Sequence, residues 1–398
     1  MSAKASSGAR PVEVPRAQVL AHRIRATGLD RPKGAAGGHG TRGPAGLPYL
    51  DLGIQDTPPG SAKVHWANRL GEPLDEAVFG RTQHGLDEVW SMRGSPHVHR
   101  TADLQARADA IWPLSERDVK DRLGKGLVQQ MLDAELAPMD AYRIAADAMG
   151  EAVRDHDGPM PRGELSTAVT KAIPEELSSY CKGCEVVHIS ESLFRGTGLL
   201  GGLRLRPGTS PLELEPIPGW KQSEPDPQAT LDLAISYLAL LGPATQGDAA
   251  DFVGTTTKDL AARWPEDGLT EVVADGRKAC WYPEDELDDL LDAPKPELVR
   301  LLAPGDPYLQ GRDRNLVVPD REHQKQIWKI IGNPGTVVVD GEVVGTWRPK
   351  ASGKKVTLTV TPLKRITKPA RAQLAEEEAP LIARARGQEA AEVKFSDD

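Results

Sequence analysis

The stretch from Leu231 to Tyr282 constrains the fold more than any other part of the chain. Leu231 to Leu241 reads as a strongly apolar helix stopped by Gly242-Pro243. Thr245 is placed to cap a short helix, Gln246 to Phe252, after which Val253-Gly254 turns the chain. Thr255 to Trp264 reads as a second helix, capped by threonines and carrying Lys258 and Arg263. Leu269 to Ala274 and Lys278 to Tyr282 then flank Asp275-Gly276-Arg277. Asp-Gly between β-rich runs is a strong hairpin signal, and a glycine between two short helices lets them cross steeply. Helix, short helix, tight turn, helix, hairpin is the order of a winged helix-turn-helix. An unrelated α+β domain is the alternative.

Weaker versions of this outline precede it. Ala17 to Gly28 reads as a helix, Arg31 to Gly46 as a Gly-rich loop, and Ser61 to Leu70 as a helix after the turn Gln55-Asp56-Thr57-Pro58-Pro59-Gly60. Leu86 to Met92 alternates weakly, and Pro96-His97-Val98-His99 returns as a strand after Arg93-Gly94-Ser95. Between Leu114 and Gly208, Ser115 opens one helix, Gly163-Glu164-Leu165 opens another, and Leu193 to Leu205 reads as helix, Gly-Gly turn and strand. The C-terminal part carries a hairpin around Asp340-Gly341, an alternating strand from Lys355 to Thr361, and an amphipathic helix from Pro369 to about Arg386. The expected fold is therefore α+β, with three tandem winged-helix units plus a small C-terminal antiparallel β unit with a closing helix. The expected boundaries are a disordered tail at 1–15, units at 16–113, 114–225 and 226–296, and the β unit at 297–398.

A chain of 398 residues with 39% hydrophobic and 27% charged residues matches neither a disordered nor a membrane protein. No apolar run approaches the ~20 residues that span a bilayer, and the first residues lack the apolar segment of a signal peptide. Three cysteines argue for a reducing compartment, so the cytoplasm is expected. The net charge of −9 opposes non-specific nucleic-acid binding unless the basic residues gather on one face. Arg16, His22, Arg23, Arg25, Arg31, Lys33, His39 and Arg42 bias the first fifty residues towards positive charge, while Glu284 to Asp292, Glu376 to Glu378 and Asp397-Asp398 hold acidic excess. Ordinary solvated faces are the competing reading of both.

Gln55 and Asp56 are the candidate catalytic pair: an amide can position water, and a carboxylate can balance a developing cation. Asp56 could equally cap the following helix. Cys181-Lys182-Gly183-Cys184 with His188 has zinc-ligand spacing but no evident fourth ligand, unless Cys280 or a carboxylate supplies it. Reduced, buried thiols without a metal are the preferred reading, and no cofactor is expected. Arg93, His97, His99, Lys258, Arg263, Arg312 and Arg314 are candidates for DNA contact, although His97 and His99 read equally as polar surface.

These segments together resemble the winged-helix DNA-binding family that contains the AlkZ and YcaQ bacterial DNA glycosylases. The resemblance runs from Gln18 through LGIQDTPPGSA, EVWSMRGSPHVH, the C-x-x-C segment and LLAPGDPYLQGRDR to VVVDGEVVGTW. It implies three winged helices and a β unit around a C-shaped channel for double-stranded DNA. It also implies a Gln-x-Gln or Gln-x-Asp motif that acts on the glycosidic bond of N-alkylated or crosslinked purines. Here Gln55 matches the first glutamine, the third position is Thr57, and the carboxylate of Asp56 comes one residue early.

A monomeric, glycosylase-like repair or resistance protein acting on N-alkylated purines is the expected function. The alternatives are a non-catalytic DNA-binding protein or transcriptional regulator, and a thiol or zinc sensor.

Overall fold

The computed structural model describes residues 11–31, 44–74 and 84–396. The first ten residues, most of the Gly-rich loop with Lys33, His39 and Arg42, and Asp397-Asp398 lie outside the described residues.

Helices Pro227–Leu241, Gln246–Val253 and Thr257–Ala261 lead into the hairpin Leu269–Ala274/Arg277–Pro283. The Thr245 hydroxyl accepts from the Asp248 N–H while the Asp248 carboxylate accepts from the Thr245 N–H, a reciprocal cap. Thr256 caps the third helix, which ends at Ala261 rather than continuing to Trp264. Gly254 takes φ +83° between the two short helices, and Asp275-Gly276 supplies the two left-handed residues of a tight hairpin turn.

The chain's beginning belongs with this unit. Val12–Val14 pairs in parallel with Leu269–Ala274, so these residues form an edge strand and not a disordered tail. Helix Arg16–Ala26 follows and buries Val19, Leu20 and Ile24 among Val272, Tyr282, Leu302 and Val338.

All strands of the first two expected units except the hairpin at 178–189 form one six-stranded sheet. Its order is Ile54–Gln55, Pro96–Arg100, Leu86–Trp90, Leu203–Arg206, Glu213–Pro216, Met160–Pro161. Glu88 pairs with Leu205 where the two contributions meet. A continuous apolar core runs from Leu47 to Leu260, through helices Leu104–Ile111, Pro138–Arg154 and Pro227–Leu241.

The C-terminal unit is a five-stranded sheet ordered Val299–Leu302, Gly335–Val339, Glu342–Ser352, Lys355–Pro362, Ala390–Phe395. It is not wholly antiparallel, because the last strand returns alongside Lys355–Pro362 in parallel. The closing helix is interrupted by a wide turn, Leu374–Glu378. There the buried Glu378 carboxylate accepts from Arg31 and Arg300.

The units are held in register by a buried charge cluster. Asp306, in the loop after Val299–Leu302, has no solvent exposure. Its carboxylate accepts both terminal nitrogens of Arg69 at 3.0 and 3.1 Å and Nδ1 of His65 at 2.9 Å. Both partners lie on helix Ser61–Leu70. Burial opposes ionisation of Asp306, but Arg69 and His65 overcome it and hold the carboxyl well below the usual carboxylate range. Removing the acid strands two buried basic groups. Asp306→Ala is expected to cost about 3–5 kcal/mol, measured as the unfolding free energy in a denaturant titration.

Candidate DNA-binding cleft

Gln55 ends the edge strand of the six-stranded sheet, paired opposite His97. Asp56 follows with its N–H donating to the Pro96 carbonyl at 2.9 Å. Consecutive strand residues face opposite ways, so the two side chains part. The Asp56 carboxylate turns to the start of helix Ser61–Leu70, where it accepts the N–H groups of Gly60 at 3.0 Å and Ala62 at 2.8 Å. It is buried, and it neutralises two donors that the helix itself leaves unpaired. Asp56 therefore acts as the helix cap, while Gln55 and Thr57 line a cleft of about 180 Å³.

The opposite wall of the cleft is the loop from Pro304 to Arg314. Two buried acids pin this loop. Asp306 ties one end to Arg69 and His65. Asp313 ties the other end to Arg23 at 2.7 Å and Arg277 at 3.1 Å. Gly311 lies between them, where a Cβ would come within 2.9 Å of the Asp313 carboxylate and 3.0 Å of the Arg23 guanidinium. The loop therefore presents Gln310, Arg312 and Arg314 from a fixed backbone.

Gln310 was not among the residues singled out by sequence. Its Nε2 donates to the Gly305 carbonyl at 2.9 Å and to Gln55 Oε1 at 3.2 Å, and its Oε1 accepts from the Tyr49 hydroxyl at 3.4 Å. The Gly305 carbonyl can only accept, which fixes the orientation of the Gln310 amide. Gln55 must then present Oε1 to Gln310, leaving its two Nε2 hydrogens without a partner among the described residues. The Gln-Gly-Arg-Asp-Arg run carried no sign of this pairing, because 255 positions separate the two amides.

Three arginines line the same cleft. Arg93 and Arg312 both lie over the Phe252 ring, each with its guanidinium carbon 5.8 Å from the centroid. Arg93 donates to the Phe252 carbonyl at 2.8 Å, and Arg312 to the Asp251 carbonyl at 3.3 Å, at the C-terminal end of helix Gln246–Val253. Arg314 lies over Trp328 at 5.0 Å. Aromatic faces thus hold like charges together at one opening. Arg93 also borders a second cavity of about 900 Å³, shared with Tyr142, Arg122, Arg195 and Asp251.

A family profile described as DNA glycosylase AlkZ-like matches residues 52–383. The chain belongs to the AlkZ-like DNA glycosylase family. Its fold is similar to the solved structure of Streptomyces sahachiroi DNA glycosylase AlkZ. The TM-score is 0.71 at 21% identity, over 96% of this chain and 100% of that one. No curated protein sequence matches the chain.

Within this AlkZ-like fold the other expected site residues are dispersed. His97 and His99 face the same side of their strand, with ring centroids 5.9 Å apart, but both are fully buried and cannot contact DNA. Their strand is interior to the sheet, flanked by Ile54–Gln55 and Leu86–Trp90, so the expected exposed wing is covered. Lys258 and Arg263 are exposed on and after helix Thr257–Ala261 and do not line the cleft. Among the described residues, the N-terminal arginines are paired with acids. Arg16 pairs with Glu342, Arg23 with Asp313, Arg25 with Asp289 and Arg31 with Glu378. Cys181, Cys184 and His188 meet at a hairpin tip outside the cleft, where Cys181 is half-buried and Cys184 exposed, not buried as expected, because the two-stranded tip has no covering layer; Cys280 is buried in strand Arg277–Pro283 and is not a fourth member of that group. Among the described residues no helix is long and apolar enough to cross a membrane.

Four buried groups contribute opposing terms to the pH response of this architecture. Burial, and then Arg93, lower His97 to about 3; burial and Arg107 hold His99 well below its usual value; burial lowers His22 to about 4. Burial, and then the charge of Asp56, push Glu88 up to about 8. Between pH ~4.5 and ~6.5 the unfolded chain binds three imidazole protons at these sites and the folded chain one carboxyl proton, so stability rises with pH. Above pH ~6.5 these three histidines no longer differ, and the Glu88 contribution lowers stability with rising pH until about pH 8. Thermal melts across this range are expected to trace that maximum. Glu88→Gln should remove the alkaline decline and stabilise by roughly 1–3 kcal/mol at pH 8, with no gain near pH 4.

Proposed function

We propose that this chain is a DNA glycosylase that binds double-stranded DNA along the arginine-lined cleft and releases N-alkylated purines. Three winged-helix units and the C-terminal β unit would together form the DNA-binding channel. The observation that carries the reading is the Gln55 amide, held by Gln310 with its donors free, at an opening walled by Arg93, Arg312 and Arg314.

The chemistry asks little of a general acid. Alkylation at a purine ring nitrogen leaves the base cationic, so the C1′–N bond can break with its electron pair passing to the base. The sugar becomes oxocarbenium-like, water adds at C1′, and the water's proton passes to solvent. A protein must hold the phosphates, fix the sugar and aim the water. Arg312 and Arg314 would hold phosphates. The Gln55 Nε2 hydrogens can donate to the deoxyribose or the backbone, and Oε1 keeps a second lone pair for the attacking water. Gln310 would orient that amide. Asp56 has both oxygens committed to the helix and has no role as a nucleophile or base in this scheme.

The commitment of Asp56, together with Thr57 at the third motif position, favours the second reading, a DNA-binding protein without chemistry. Base release from N7-alkylated duplex DNA separates the two. Gln55→Ala is expected to lower release about 100-fold, with DNA affinity nearly unchanged. No base release by the unmutated protein would leave the binding reading. Asp56→Ala should cost ~1 kcal/mol of stability and leave activity per folded molecule unchanged. Arg312→Ala and Arg314→Ala should each weaken duplex binding across sequences and lower the salt slope by about one, measured by titration over a range of salt.

A further inference from the structure

The hairpin Ser178–Cys181/Val186–Ile189 stands apart from the three larger sheets. Its base is fixed: Ser178 and Ile189 are buried, and the Ile189 N–H donates to the Thr170 hydroxyl at 2.9 Å. Its outer part is not, because Tyr180, Val186 and Val187 are 61%, 53% and 59% exposed. Two strands without a covering layer are marginally stable in water. The cleft described above does not use this hairpin.

Its tip carries a ligand set. One ligand atom from each of Cys181, Cys184 and His188 lies within 4.8 Å of the others. A tetrahedral zinc with sulfur at ~2.3 Å and nitrogen at ~2.0 Å needs separations of roughly 3.5–3.8 Å, so a small side-chain adjustment closes the site. The pairing of Cys181 with Val186 and of Ser179 with His188 puts Cys181 and His188 on one face of the hairpin. The four-residue turn then brings Cys184 back over that face. Glu185 adopts φ +58° and donates its N–H to the Cys181 carbonyl at 2.8 Å. Nδ1 of His188 lies 2.6 Å from the Ile189 carbonyl. That hydrogen bond fixes the proton on Nδ1 and leaves Nε2 as the coordinating nitrogen, the usual outer partner of a metal-bound histidine.

We infer that this hairpin tip is a zinc site, with Cys181, Cys184 and His188 as its protein ligands and water in the fourth position. Two thiolates and an imidazole select zinc over magnesium or calcium. The ion ties the tip of one strand to the other where packing does not. The inference is independent of the glycosylase reading.

The test uses the full chain, reduced with a phosphine and freed of metal. Cobalt(II) serves as the probe, because a tetrahedral cobalt–thiolate centre has intense visible bands. One equivalent of cobalt is expected to develop those bands, and one equivalent of zinc to bleach them. The double variant Cys181→Ser/Cys184→Ser should fold, as judged by its circular dichroism and melting temperature, and give no bands. His188→Ala should keep the thiolate signal with at least tenfold weaker affinity. Trypsin cleavage after Lys182, between the two cysteines, should slow on zinc addition in the unmutated protein only. Absence of tetrahedral bands, bands that persist in the double variant, or Lys182 cleavage indifferent to zinc would each overturn the assignment.

Discussion

The buried contact between Asp306 and the pair His65 and Arg69 is the interaction on which the rest of the arrangement depends. A carboxylate without solvent is tolerated only where its charge and lone pairs are met, and here four hydrogen bonds meet them, the fourth from the Tyr308 N–H at 3.0 Å. Both basic partners come from the helix that Asp56 caps, and the acid comes from the loop that carries Gln310. A shift of the helix against the C-terminal sheet would break several bonds to buried charges at once. The contact converts two distant segments into one rigid wall and its opposite wall.

The same principle distributes the protein's charge. A chain with net charge −9 is an unpromising partner for a polyanion. Among the described residues near its beginning, Arg16, Arg23 and Arg31 join parts of the fold through pairs with Glu342, Asp313 and Glu378. The guanidinium groups of Arg93, Arg312 and Arg314 are left at the cleft, stacked on Phe252 and Trp328. Three guanidinium groups therefore share one opening in a protein of net negative charge.

Gln55 and Asp56 divide two tasks by the alternation of a strand. One side chain faces the cleft and the other faces the helix start, so a single turn both displays an amide and caps a helix. Glu88, on the neighbouring interior strand, carries the consequence: it lies near the ionised Asp56 and stays protonated to about pH 8.

Local rules acting over a few residues determined what the sequence disclosed. The capping threonines 245 and 256, the Asp-Gly turns at 275–276 and 340–341, and the apolar helix stopped at Gly242 are decided by backbone geometry and nearby donors, and each occurs in the structure. The family was legible for the same reason, since its motifs are contiguous. Tertiary structure decided which sheet a strand joins. Pro96–Arg100 reads as an exposed wing strand, yet Ile54–Gln55 and Leu86–Trp90 flank it and bury His97 and His99. Val12–Val14 reads as a tail until it finds an edge 260 residues away. Tertiary structure likewise decided the partner of Gln55, because a hydrogen bond depends on distance in space, and nothing local in either segment records that Gln310 will stand opposite.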